Sequence, residues 1–146
     1  MSAFRHKVDE KRRIQVPSEW RSKEEKDMEF TLVLWPHKDR SDACVMVMPP
    51  MVADDFISKM NALPLGAGEG EAVRAEMAAN AHLATLDSVG RIALPDWMSE
   101  RLGILSGGMA VLNGMWDRFQ IWNPDLYDAT RDAVRAVAST AFRKLQ

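Results

Sequence analysis

The sequence has one cysteine, Cys44, among 146 residues. A single thiol excludes an intramolecular disulfide and any multi-cysteine zinc site. A reducing cytosol is the expected compartment. Long apolar runs are missing as well. The longest, Phe30–Trp35 and Ala43–Met51, fall far short of the roughly 20 residues a membrane-spanning helix needs. The first residues, Met-Ser-Ala-Phe-Arg-His-Lys, contain no apolar stretch of signal-peptide length, so secretion is not expected. Histidine is scarce: His6, His37 and His82 are dispersed and fit no metal-ligand spacing. Cys44 sits in an apolar run beside Val45, which suits a buried, inert thiol. Pro64–Gly70 is rich in glycine, but no Lys-Ser/Thr pair follows it, so it reads as a linking loop rather than a phosphate loop. No Ser-His-Asp arrangement is constrained by spacing. Neither enzymatic activity nor a cofactor is expected.

A strong excess of either charge is also absent, with a formal net charge of −2. That mean conceals an asymmetry. Residues 1–26 carry eight Lys/Arg against five Asp/Glu, and the other 120 carry eleven against sixteen. A basic face is therefore compatible with the average. The chain is 47% apolar and 27% charged, an ordinary globular composition, and it is long enough to bury a core without staples.

What is present is a repeat. Val8-Asp9-Glu10-Lys11-Arg12-Arg13-Ile14-Gln15-Val16-Pro17 aligns with Leu86-Asp87-Ser88-Val89-Gly90-Arg91-Ile92-Ala93-Leu94-Pro95 at an offset of 78 residues. Both read apolar-Asp-x-x-x-Arg-Ile-x-apolar-Pro, and each is followed by a tryptophan, Trp20 or Trp97. The alternation at Ile14 and Val16, and at Ile92 and Leu94, is that of a half-buried strand. Gly90 gives the second copy a turn residue that tolerates positive φ. Arg12 occupies that place in the first copy, so its turn is either different or strained. Pro17 and Pro95 end the strands and suit the first turn of a short helix.

Each unit continues with two apolar runs that read as a hairpin. In the first unit these are Phe30–Trp35 and Ala43–Met48; in the second, Ala110–Leu112 and Arg118–Trp122, with Asn113-Gly114 as the turn signal. A proline and a helix follow each hairpin. Pro50 leads into Val52–Leu63, and Asn123 as N-cap with Pro124 leads into Leu126–Leu145. Glu71–His82 reads as an Ala-rich helix. The domain organisation is thus a first repeat over 1–63, a loop and linking helix over 64–82, and a second repeat with its C-terminal helix over 83–146. Each half has too few strands for a separate core, so one pseudo-symmetric domain is expected.

These residues resemble the MraZ family, bacterial proteins built from two AbrB-like swapped-hairpin modules. His6–Pro17 is similar to the family's first His-x-Leu-Asp-x-Lys-Gly-Arg-x-x-Ile-Pro motif, and Leu86–Pro95 to its second Leu-Asp-x-x-Gly-Arg-Ile-x-Ile-Pro motif. Asp117-Arg118-Phe119-Gln120-Ile121-Trp122 is similar to its Asp-Arg-Ile-Glu-Ile-Trp strand. The order and spacing hold over nearly the whole chain. The resemblance implies an α+β fold: two pseudo-symmetric swapped-hairpin β units with short helices, forming a small β-barrel-like domain. It implies a sequence-specific DNA-binding transcriptional regulator, a repressor of its own division and cell wall gene cluster. Its expected partners are repeated promoter elements and other copies of itself in a ring-shaped, octamer-like homo-oligomer, with no membrane. The expected location is the cytoplasm, at the nucleoid.

The DNA-contacting residues carried over by the resemblance are Asp9 with Arg13 and Asp87 with Arg91. Lys11 and Arg12 lie between the first pair, and Arg5 and Lys7 complete the basic cluster. Arg12 stands where the family has glycine, and the second copy offers one cation, Arg91, where the first offers three. Arginine reads guanine bidentately and lysine neutralises phosphate. Each aspartate is expected to orient the arginine four residues on. Two other readings are compatible with the residues. One is an antitoxin-like module whose C-terminal segment binds a protein, which the regular helical pattern of Asp128–Leu145 disfavours. The other is a ring-forming structural paralogue without DNA binding, which Arg12, Ser88 and Val89 allow.

Overall fold

The computed structural model describes residues 3–21, 27–38 and 40–146. Lys23 and Lys26 of the basic N-terminal stretch lie outside these residues. In chain order the elements are β1 (Ala3–Lys7), β2 (Arg13–Gln15), a 3-10 turn at Ser18–Trp20, β3 (Glu29–His37) and β4 (Arg40–Met48). Then come α1 (Pro50–Asn61), α2 (Ala67–Ala79), β5 (Ala81–Thr85), β6 (Arg91–Ala93) and α3 (Asp96–Leu102). The chain ends with β7 (Met109–Met115), β8 (Arg118–Trp122), α4 (Pro124–Phe142) and a 3-10 turn at Arg143–Leu145.

The 78-residue offset carries into the architecture. Ala3 and Ala81, Arg13 and Arg91, and Arg40 and Arg118 each begin corresponding strands. The sheet order, β1-β7-β8-β4-β3-β5, is palindromic in repeat terms, and β2 pairs with β6 in a separate two-stranded ribbon. Each repeat lends its first strand to the other repeat's hairpin: β1 pairs with β7, and β5 with β3. Ile14 faces Ile92 in the ribbon and Cys44 faces Trp122 in the sheet. Each of these pairs joins repeat-equivalent residues, so a pseudo-twofold axis runs through both. The symmetry is broken at the edges. Ala3 lies opposite Asn113 whereas Ala81 lies opposite Val33, and β3 is bulged between Trp35 and His37.

The expected β-barrel-like closure does not occur. The sheet is open, with β1 and β5 at opposite edges. The three-residue strands β2 and β6 stop two residues before Pro17 and Pro95 and are too short to bridge those edges. They pack on one face of the sheet as a second layer. Ile14, Val16, Ile92, Leu94 and Met98 join Phe30, Leu32, Val47, Leu112, Phe119 and Ile121 in one core. Ile14 and Ile92 are fully buried there, each worth about 1.5–3 kcal/mol of burial. The alternate residues Val33, Met46 and Met48 face α1 and α2, and Cys44, Val111 and Trp122 face the start of α4. No helix among the described residues is long and apolar enough to cross a membrane.

Three local expectations are corrected. The Pro64–Gly70 loop gives way to α2 at Ala67, and α2 ends at Ala79, so His82 lies on β5 rather than on a helix. Asn113-Gly114 is not the hairpin turn. Asn113 sits within β7 opposite Gln120 and donates its side-chain amide to that residue's Oε1 at 2.9 Å, so the pair is used across the strands. The turn falls at Trp116-Asp117, where Trp116 takes φ +66°.

Candidate nucleic-acid interface

Both Asp-x-x-x-Arg segments form the same turn. Asp9 Oδ1 accepts the backbone N–H of Lys11 and of Arg13, both at 2.9 Å. Asp87 Oδ1 accepts the N–H of Val89 at 3.0 Å and of Arg91 at 2.8 Å. The second carboxylate oxygen holds the arginine: Arg13 Nε donates to Asp9 Oδ2 at 2.7 Å, and Arg91 Nε to Asp87 Oδ2 at 3.1 Å. One short side chain thus closes the turn and orients the guanidinium fork. In each turn the Arg backbone N–H is the main influence holding the carboxyl below the usual carboxylate range. The arginine side chain and the intermediate N–H add to it, against a smaller opposing effect of burial.

The strand pairing unites the two turns. Because Ile14 and Ile92 point into the core, Arg13, Gln15, Arg91 and Ala93 lie on the outer side of the ribbon. Arg91 Nη1 also reaches Asp9 Oδ2 at 3.6 Å, giving the row Arg13, Asp9, Arg91, Asp87. Each of these four side chains is about one-third exposed. Arg12 takes φ +58° where Gly90 takes +86°, so the first turn keeps the handedness of the second and bears the strain of a side chain there.

The other candidates divide. Lys11 is exposed at the tip of the first turn. The Arg12 Nη1 is held by Asp96 Oδ1 at 2.7 Å, at the first turn of α3. Arg5 lies on the edge strand β1 and pairs with Asp128 of α4 at 2.8 Å, away from the row. Lys7 ends the same strand and is exposed. Asp117 and Arg118 pair at the tip of the β7–β8 hairpin at 2.8 Å, also outside the row. No local pattern in the sequence marks Gln15, Arg21 or Asp96. Gln15 Nε2 donates to Val89 O at 3.0 Å, and a Cβ built at the buried Gly90 would collide with the Arg21 guanidinium. These contacts cross between repeats, and no local spacing marks them. Burial pushes the Cys44 thiol up to about 12, in line with an inert core residue. Among the described residues no cluster of His, Cys, Asp and Glu suits a metal ion.

No protein-family model matches the chain. Named relatives do. It is 34% identical over 137 residues to the "Transcriptional regulator MraZ" of Cereibacter sphaeroides, covering 86% of this chain and 80% of that protein. The regulator of the same name from Caulobacter vibrioides is 28% identical over 146 residues, covering 100% and 90%. That from Roseiflexus sp. is 26% identical over 145 residues, covering 99% and 95%.

Proposed function

The chain belongs to the MraZ family of transcriptional regulators, and from that premise we propose that it binds promoter DNA through the β2–β6 ribbon. The carrying observation is the outward row of Arg13, Asp9, Arg91 and Asp87, assembled from both repeats on a two-stranded ribbon. A ribbon of this kind is narrow enough for the major groove, where an oriented arginine reads guanine O6 and N7. The aspartates, repelled by phosphate, keep the forks aimed. The proposal treats 1–63 and 83–146 as AbrB-like swapped-hairpin repeats joined by 64–82. The reciprocal pairing of β1 with β7 and of β5 with β3 supports that reading.

Action as a repressor of its own division and cell wall gene cluster, through several copies on repeated elements at the nucleoid, completes the proposal. A single subunit neutralising roughly three phosphates loses about 40-fold in affinity between 50 and 200 mM salt. Linked subunits on repeated sites recover this by avidity. Surfaces suited to self-association are present. Beyond its packed start, α4 exposes Val137 and Phe142, the 3-10 turn after it exposes Leu145, and residues 133–146 carry three cations and no Asp or Glu. Residues 50–80, over α1 and α2, carry five acidic groups against two basic ones and expose Met51, Ile57 and Leu63.

The test is binding of the full chain to DNA from upstream of its own gene, beside a scrambled duplex, across a salt series. Tighter binding to the upstream DNA is expected. Arg13→Ala and Arg91→Ala should each lose about 1–3 kcal/mol of that preference. Equal, weak binding to both duplexes, untouched by either substitution, rejects the proposal and leaves the ring-forming structural reading.

A further inference from the structure

The four side chains of the row are electrically balanced, two aspartates against two arginines. Attraction to a polyanion must therefore come from cations beside them. The first turn has Lys11 at its tip. The second has Ser88 and Val89 in the positions equivalent to Glu10 and Lys11, and no cation of its own apart from the paired Arg91.

Arg21 stands in that gap. It directly follows the 3-10 turn Ser18–Trp20, in extended backbone, with its N–H bonded to Ser18 O at 3.1 Å. The turn is anchored by Trp20, which is buried and packs on Phe119 with ring centroids 4.9 Å apart. Its indole N–H donates to Trp116 O at 3.1 Å. So anchored, Arg21 lays its guanidinium across Gly90. A Cβ there would sit 3.1 Å from Arg21 Cζ and 2.7 Å from Gln15 Nε2, and would overlap Arg21 Nη1. Arg21 Nε is enclosed without a hydrogen-bond partner, and no carboxylate among the described residues pairs with the side chain. By contrast, Arg12, at the position equivalent to Gly90, is spent on Asp96.

We propose that Arg21 is the phosphate-contacting cation of the second turn, supplied across the pseudo-twofold by the first repeat. The inference rests on the DNA-binding reading above and adds a residue to it. Lys11 then serves one turn and Arg21 the other, so each guanine-reading arginine has a phosphate anchor beside it. Glycine at position 90 holds its positive φ without the strain Arg12 bears and leaves room for the guanidinium against the turn.

The experiment measures binding of the full chain to the upstream and scrambled duplexes over a salt series, for wild type, Arg13→Ala, Arg21→Met and Arg21→Lys. Methionine keeps the cover over Gly90 without the charge, and Arg21→Gln is a second neutral variant should Arg21→Met fail to fold. The neutral variants should weaken binding to both duplexes by similar factors. They should reduce the slope of log K against log salt by about one, with base preference retained. Arg21→Lys should restore most of the slope. An unchanged slope in the neutral variants, while Arg13→Ala still lowers the preference, overturns this assignment alone. Failure of wild type to bind either duplex overturns it together with the DNA-binding reading.

Discussion

Asp9 and Asp87 show how much one carboxylate can settle. Each accepts two backbone N–H groups through one oxygen and an arginine through the other. Because these contacts favour the ionised form, both groups titrate below the unfolded value of about 3.9. Their contribution to stability is therefore complete above that value and is lost as pH falls through the depressed folded value. Urea midpoints should accordingly drop on acidification below about pH 4. The Asp9→Asn, Asp87→Asn double variant keeps an oxygen acceptor in each turn but has nothing to titrate, so its acid slope should be shallower. An identical slope in the two proteins would show that the carboxylates are not the acid-sensitive groups. At this scale the sequence was informative, since the Asp-x-x-x-Arg spacing predicts the oriented pair. It left the turn at Arg12 open, and the answer is a strained turn of unchanged handedness, tied down by Asp96 on α3.

At the scale of elements, caps and prolines were reliable signals. Asn123 caps α4 as expected, its Oδ1 accepting the N–H of Asp125 at 2.9 Å and of Leu126 at 3.5 Å, with Pro124 next in line. The same side chain donates to Leu102 O and Gly103 O, each at 3.1 Å, so it also stitches the end of α3 to the start of α4. Asn123→Ala should therefore cost about 1–2 kcal/mol, at the upper end for a cap, as read from urea denaturation. A loss of a few tenths would mean that these contacts carry little. Turn dipeptides were less reliable. Asn113-Gly114 is a strong turn signal in isolation, but the cross-strand bond to Gln120 and the register of β7 on β8 place it inside a strand. Similarly, glycine content suggested a loop where α2 already begins, because helix formation from Ala67 overrides the weak propensity of Gly68 and Gly70.

At the scale of the molecule, an open palindromic sheet leaves α1, α2 and the start of α4 on one face, with α3 and the arginine row beyond the other. For the self-association proposed above, a basic, apolar C-terminal end and an acidic, apolar α1–α2 stretch on the same chain suit a head-to-tail contact, the kind that closes rings. Arg143→Glu with Lys144→Glu should lower the sedimentation-derived mass of the assembly, and so should Asp54→Lys with Asp55→Lys. Mixing the two double variants should restore assembly, because each then meets an opposite charge on the other. Wild-type mass in either variant, or no recovery on mixing, would place the self-contact elsewhere. Binding of a single DNA site should survive in these variants, which separates this outcome from the role of the ribbon.

The sequence by itself determined the repeat, the two hairpins and the helices that follow them, the two Asp…Arg turns and the likeness to one family. These follow from local chemistry: alternation, capping, proline and a side chain that reaches its own backbone. Only the tertiary structure decided that the sheet stays open, that the two turns merge into one row, and that Arg21 and Asp96 lie against the opposite repeat's turns. Those outcomes depend on how two similar halves exchange strands about a shared core. Strand exchange is set by packing between residues about 80 positions apart, as in Ile14 against Ile92, and no local pattern encodes it.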